Sequence, residues 1–157
     1  MKITHIITDL DTGGAEIMLY KLLVSLRDEK VESLVVSLMR NGPITQRIKA
    51  LGVKVETLGL KQGDRPSWQT IDRLRKLIRT FNPDVVQGWM YHGNIAATAA
   101  VFLFDPMRRK VKLFWNVRQT LYDINSEKTQ TRWLIVLGRW LSFFPHSIIY
   151  NSNLSAE

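Results

Sequence analysis

Two short stretches carry residues that could do chemistry, and each follows an apolar run directly. The first is Thr12-Gly13-Gly14-Ala15-Glu16, between Ile3, Ile6 and Ile7 and a set of apolar residues at helical spacing, Ile17, Met18, Leu19, Leu22, Leu23 and Leu26. A strand that enters a helix through a glycine pair leaves backbone N–H groups free at the helix N-terminus, where the dipole adds partial positive charge. Such a turn suits a phosphate or another anionic or polyhydroxyl ligand. Glycine is needed because a Cβ would block the ligand's approach; the competing reading is a tight turn with no ligand. The second stretch is Trp89-Met90-Tyr91-His92-Gly93-Asn94. Its histidine either meets a ligand at the strand edge or bonds a nearby carbonyl. Asp9 and Asp11 resemble a carboxylate pair for metal or acid–base work, but no further carboxylate cluster completes a site, so they read as turn residues.

The elements that position these residues alternate strand and helix. Strands are expected at Lys2–Thr8, Glu32–Met39, Val53–Leu58, Asp84–Gly88, Val111–Asn116 and Ser147–Asn151. Helices are expected at Ala15–Arg27, Pro43–Leu51, Ser67–Thr80, Gly93–Phe104 and about Lys128–Phe143. Pro43 suits a first helical position, Gly52 and Asn82-Pro83 suit helix ends, and Ser67 suits an N-cap. The fold class is therefore α/β: a doubly wound, Rossmann-like, mainly parallel sheet of about six strands with helices on both faces. Ligands bind such sheets at the C-terminal edge of the strands. That edge collects Gly13, Gly14 and Glu16, then His92 and Asn94, then Asn116-Val117-Arg118, then the residues from Ser152.

Composition narrows the function classes. The 157 residues contain no cysteine, which excludes disulfides, a thiol nucleophile and thiolate metal sites. His5, His92 and His146 are too scattered for metal-ligand spacing, and His5 reads as a core or sheet histidine. No Gly-x-Gly-x-x-Gly or Gly-Lys-Ser/Thr motif is present, against a dinucleotide oxidoreductase or a P-loop nucleotidase. The formal net charge of +8 implies an anionic partner: nucleic acid, a membrane surface or a phosphorylated substrate. Basic groups cluster at Arg73, Arg75, Lys76 and Arg79, and at Arg108, Arg109, Lys110 and Lys112. Arg132-Trp133 and Arg139-Trp140 place basic and aromatic residues together on the last helix, which either packs on the sheet or lies at a membrane interface.

The opening strand followed by Gly-Gly-Ala-Glu, the run Asn82-Pro83-Asp84-Val85-Val86-Gln87 with His92 beyond it, and Ile148-Ile149-Tyr150-Asn151-Ser152 before a helix carry a resemblance. The chain resembles, over its whole length, the N-terminal domain of family 4 glycosyltransferases, retaining enzymes of the GT-B architecture that use nucleotide-sugars. The resemblance implies that Gly13 and Gly14 approach the donor diphosphate and the acceptor, and that Glu16 faces the inter-domain cleft or caps its helix. His92 would be the catalytic residue, holding a donor-sugar hydroxyl and steadying charge near the anomeric carbon. Arg118 would offer a bidentate anion fork, unless it pairs with Asp123 or Glu127, while Asn94, Asn151 and Ser152 would line the cleft.

It further implies a nucleotide-sugar donor, a saccharide or lipid-linked acceptor, and a role in cell-envelope polysaccharide synthesis. No cofactor, metal or nucleic acid is expected. The location expected is cytoplasmic, with peripheral attachment to an anionic membrane surface at its inner face. The whole chain, 1–157, reads as the acceptor-side domain of a longer protein, because Ser152 or Ser155 opens a helix that stops as it begins. The donor-binding domain would lie elsewhere, and the fragment alone would be inactive. The alternative is a non-enzymatic basic α/β module that binds nucleic acid or another polyanion, supported by charge alone.

Overall fold

The computed structural model describes residues 1–64, 66–105, 110–117 and 140–150. Its elements are β1 (Lys2–Ile7), α1 (Gly14–Ser25), β2 (Glu32–Ser37), α2 (Pro43–Lys49), β3 (Lys54–Thr57), α3 (Trp68–Phe81), β4 (Val85–Trp89), α4 (Met90–Phe104), β5 (Lys112–Val117) and β6 (Ser147–Tyr150). Every strand pairing is parallel, and the order across the sheet is β3-β2-β1-β4-β5-β6. The expected doubly wound α/β sheet is thus the observed one.

A period of two sends neighbouring residues of each strand to opposite faces. Ile6 joins a core with Leu34, Val36, Leu74, Ile78, Val86 and Leu113 beneath α3 and α4. Ile7 joins a second core with Leu10, Ala15, Leu19, Val35, Ile44 and Trp89 beneath α1 and α2. Ile6, Ile7, Val35, Val36 and Val86 are wholly buried, as strands covered on both faces require.

Local chemistry ends most helices where the sequence places the signals. Ser67 Oγ accepts the Thr70 N–H at 3.2 Å. Asn82 closes α3 in the left-handed region at φ 52, donating its N–H to the Ile78 carbonyl at 2.8 Å. Pro43 opens α2, whose preceding Gly42 N–H donates to Thr45 Oγ1 at 3.0 Å.

One boundary differs with consequence. The helix expected from Gly93 begins at Met90, directly after β4, because Met90 takes φ 63 and turns the chain at once. Gly93 is a packing glycine in the first turn of α4 rather than a helix start, and His92 stands on that helix instead of in a loop. The helix expected over Lys128–Phe143 lies outside the described residues except for its end. There Leu141 packs on the core, Phe144 meets Phe102 edge-on at 4.9 Å, and Trp140 and Phe143 are exposed.

Candidate functional site

Because every pairing is parallel, the C-terminal ends of β1 and β4 lie at one edge, with Ile7 opposite Trp89. The chain winds outward from β1 through β2 to β3, then crosses back to start β4 on the other side of β1. The crevice between β1 and β4 is therefore the point where strand order reverses, the place where open α/β sheets bind ligands. The Gly13–Gly14 turn follows the first of these strands and the first turn of α4 the second.

The β1–α1 turn is built by local hydrogen bonds. The Asp11 N–H donates to Asp9 Oδ1 at 3.2 Å, and the Thr12 N–H donates to Asp11 Oδ1 at 3.0 Å. Both aspartates act as turn residues, as their spacing suggests. Leu10 anchors the turn to α2: its carbonyl accepts the Ile44 N–H at 3.2 Å, and Gly42 lies so close to that carbonyl that no side chain fits.

Gly13 is the N-cap of α1, and the Glu16 carboxylate folds back beside it. A Cβ at Gly13 would collide with that carboxylate, whereas one at Gly14 would meet nothing. Burial pushes the Glu16 pKa up; hydrogen bonds from its own N–H and that of Gly13 oppose the shift, and the charges of Asp9 and Asp11 add to it. Three carboxylates, Asp9, Asp11 and Glu16, thus rim this turn. Of the ligands considered for it, hydroxyl-rich groups suit the acidic rim better than a phosphate does.

The β4–α4 turn carries no such acidic rim. Its helix has no acidic residue in the first turn and no side-chain cap. His92 occupies the third helical position, exposed at its outer face. Desolvation on its inner side lowers its pKa from 6.5, so the ring is a neutral donor and acceptor near pH 7. Asn94, expected to line the cleft, points into the protein: it is 2% exposed, and its Oδ1 accepts the Asn116 N–H at 3.4 Å. One turn on, Thr98 Oγ1 donates to the Asn94 carbonyl at 2.8 Å and accepts the Trp115 Nε1–H at 3.0 Å, tying α4 to β5.

The structure thus brings Gly13, Gly14, Glu16 and His92 to one edge of the sheet, beyond the adjacent strands β1 and β4, and turns Asn94 into the protein. Arg118, Asn151 and Ser152 lie outside the described residues. Two features went unseen in the sequence: the positive φ at Met90, which has no residue signature, and a buried polar group of His5, Gln87 and Trp89. The second left a trace, since Gln87 interrupts an otherwise apolar strand and a buried amide needs a partner.

A family model described as Glycosyltransferase Family 4 matches residues 12–157. No curated protein matches the chain. Among solved structures, the Anabaena protein HepE in complex with UDP and glucose is similar over 99% of this chain and 39% of its own, at 19% identity and a TM-score of 0.74. A putative UDP-N-acetylglucosamine 2-epimerase from Listeria monocytogenes is similar over 98% of this chain and 39% of its own, at 17% identity and a TM-score of 0.62. An O-GlcNAc transferase from Thermobaculum terrenum matches 78% of this chain and 25% of its own, at 17% identity and a TM-score of 0.51. At such identities the likeness is one of fold, and the chain spans 39% of the length of the first two.

Proposed function

The chain belongs to glycosyltransferase family 4, and on that premise we propose that it forms the acceptor-side, N-terminal domain of a retaining enzyme. That enzyme moves a sugar from a nucleotide-sugar to a saccharide or lipid-linked acceptor. The observation that carries the reading is that the Gly13–Gly14 turn and His92 follow two adjacent parallel strands, β1 and β4, on either side of the switch point. HepE, of like fold, was solved with UDP and glucose, which favours a nucleotide-sugar as donor.

In this reading the residues divide by charge. The neutral His92 imidazole holds a donor-sugar hydroxyl and steadies positive charge near the anomeric carbon. The open first turn of α4 receives the donor's anionic end, a better electrostatic match than the acidic β1–α1 turn. Gly14 leaves room for the acceptor, whose hydroxyls Glu16 and the turn backbone accept or donate to. Asn94 positions rather than binds, and Arg118, Asn151 and Ser152 are assigned to the cleft. The proposed chemistry uses no metal ion.

A cleft needs both walls, so donor contacts are assigned to a second domain, and these 157 residues alone bind the donor weakly. Turnover by the full-length protein, assayed across a panel of nucleotide-sugars, tests the reading. Salt-sensitive retention on polyanions without turnover of any nucleotide-sugar would replace it with the basic-module reading.

A membrane-surface acceptor site is part of the proposal. Trp140 is 73% exposed and Phe143 84% exposed, with Lys110 and Lys112 also at the surface. No helix among the described residues is long and apolar enough to cross a membrane.

A further inference from the structure

His5 lies in the middle of β1, fully buried, directly across the register from Gln87 of β4. Its Nδ1 is 3.1 Å from Gln87 Oε1 and 3.4 Å from Trp89 Nε1, and its Nε2 has no partner. A core site gains nothing from a half-satisfied imidazole that a phenylalanine would fill without an orphaned nitrogen. The ring's distinctive contribution is its Nδ1 contact.

Trp89 shows where that contact leads. It is 1% exposed, it is the N-cap of α4, and it shares a core cluster with Leu10 and Ala15, which flank the Gly13–Gly14 turn. Immediately after it comes Met90 at φ 63, then Tyr91 and His92. A methionine in the left-handed region is held there by its surroundings, not by its own preference. An indole N–H can only donate, so it binds His5 Nδ1 only when that nitrogen carries no proton, and the Gln87 amide, turned end for end, then serves the same nitrogen through its NH2 group. Burial lowers the His5 pKa to about 4, which keeps the ring neutral and that state available.

Building on the transferase reading, we propose that His5 and Trp89 form a positioning pair: their buried contact fixes the strained Trp89–Met90 turn and so sets His92 against the Gly13–Gly14 turn. Neither residue touches substrate. The pair acts through the orientation of His92.

Full-length His5→Phe and Trp89→Phe proteins test this, since each keeps an aromatic ring and deletes one end of the contact. Either change should lower kcat by about tenfold to a hundredfold with KM within about twofold. The double variant should be no worse than the poorer single one, because both break the same bond. His5→Asn, which returns an acceptor near the Nδ1 position, should recover part of the loss. Unchanged kcat per folded molecule with a lowered melting temperature, or additive losses, would reduce the pair to a packing role and overturn the proposal. The His92 ring resonances, read by NMR, give a measure that needs no turnover. Both phenylalanine variants should shift them in the same direction, and unmoved resonances overturn the proposal on their own. A shift in a protein that turns over no nucleotide-sugar would keep the pair and discard the transferase reading instead.

Discussion

Gly93 of α4 lies against the carbonyl of Ile6 in β1, so close that a Cβ would stand 2.5 Å from the oxygen. Gly88 meets Asn94 in the same way, its would-be Cβ 2.5 Å from the Asn94 Cα. The first turn of α4 is thereby pressed onto the two central strands, and His92, one residue before Gly93, is carried to the crevice. Both close neighbours include backbone atoms, which cannot swing aside as a side chain would.

Gly93→Ala and Gly88→Ala should therefore each destabilise the domain by roughly 1–3 kcal/mol, the usual penalty of overpacking. Urea denaturation of the two variants checks this. A midpoint equal to wild type would mean that α4 is free to lift off the sheet.

Gly14→Ala separates ligand approach from folding. Nothing lies within 4 Å of its would-be Cβ, and as the first residue of α1 it should lose no stability on gaining a methyl group. Alanine is favoured over glycine in helices, so the melting temperature should hold or rise slightly. The acceptor KM should nevertheless increase. Unchanged stability together with unchanged kinetics would make the glycine pair a turn and nothing more.

His5 makes stability depend on pH. Its pKa is about 4 when folded and near 6.5 otherwise, so the unfolded chain takes up a proton first as pH falls. Keeping the buried ring unprotonated costs the fold nothing above about pH 6.5 and progressively more as pH falls towards 4, on the order of 3 kcal/mol of stability lost in all. Denaturation midpoints at pH 7 and pH 4 should differ more for wild type than for His5→Phe. Equal differences would show that the ring is not buried in solution.

Much of this architecture was legible before any coordinates. The Ser67 cap, the Asn82-Pro83 stop and the apolar runs place elements through local chemistry that a sequence displays openly. The Gly13–Gly14 turn and His92 could be placed at one sheet edge because both follow strands, and a parallel sheet brings strand ends together. What stayed hidden depends on non-local pairing. His5 meets Gln87 only because β4 returns beside β1, and Asn94 is buried only because Gly88 leaves space for it. Gly93 read as a helix start since glycine marks turns and close packing alike, and the sequence alone does not separate the two.

Anionic vesicles should retain the protein at low salt and release it as ionic strength rises, because exposed charges are screened within roughly 8 Å at physiological salt. Trp140, 73% exposed, should contribute, so Trp140→Ala should weaken co-sedimentation. Equal binding to neutral vesicles, or none at low salt, would remove the membrane from the account.

The role of His92 is tested most directly by kcat/KM for nucleotide-sugar turnover by full-length wild type and His92→Ala. Its lowered pKa keeps the ring neutral at pH 7, so wild-type turnover should fall only as pH drops below about 6.5. The alanine variant should lose roughly 10²-fold or more in kcat/KM, with its melting temperature unchanged because the side chain is exposed. An equal rate at equal stability would contradict the claim and leave His92 a surface residue at the edge of the sheet.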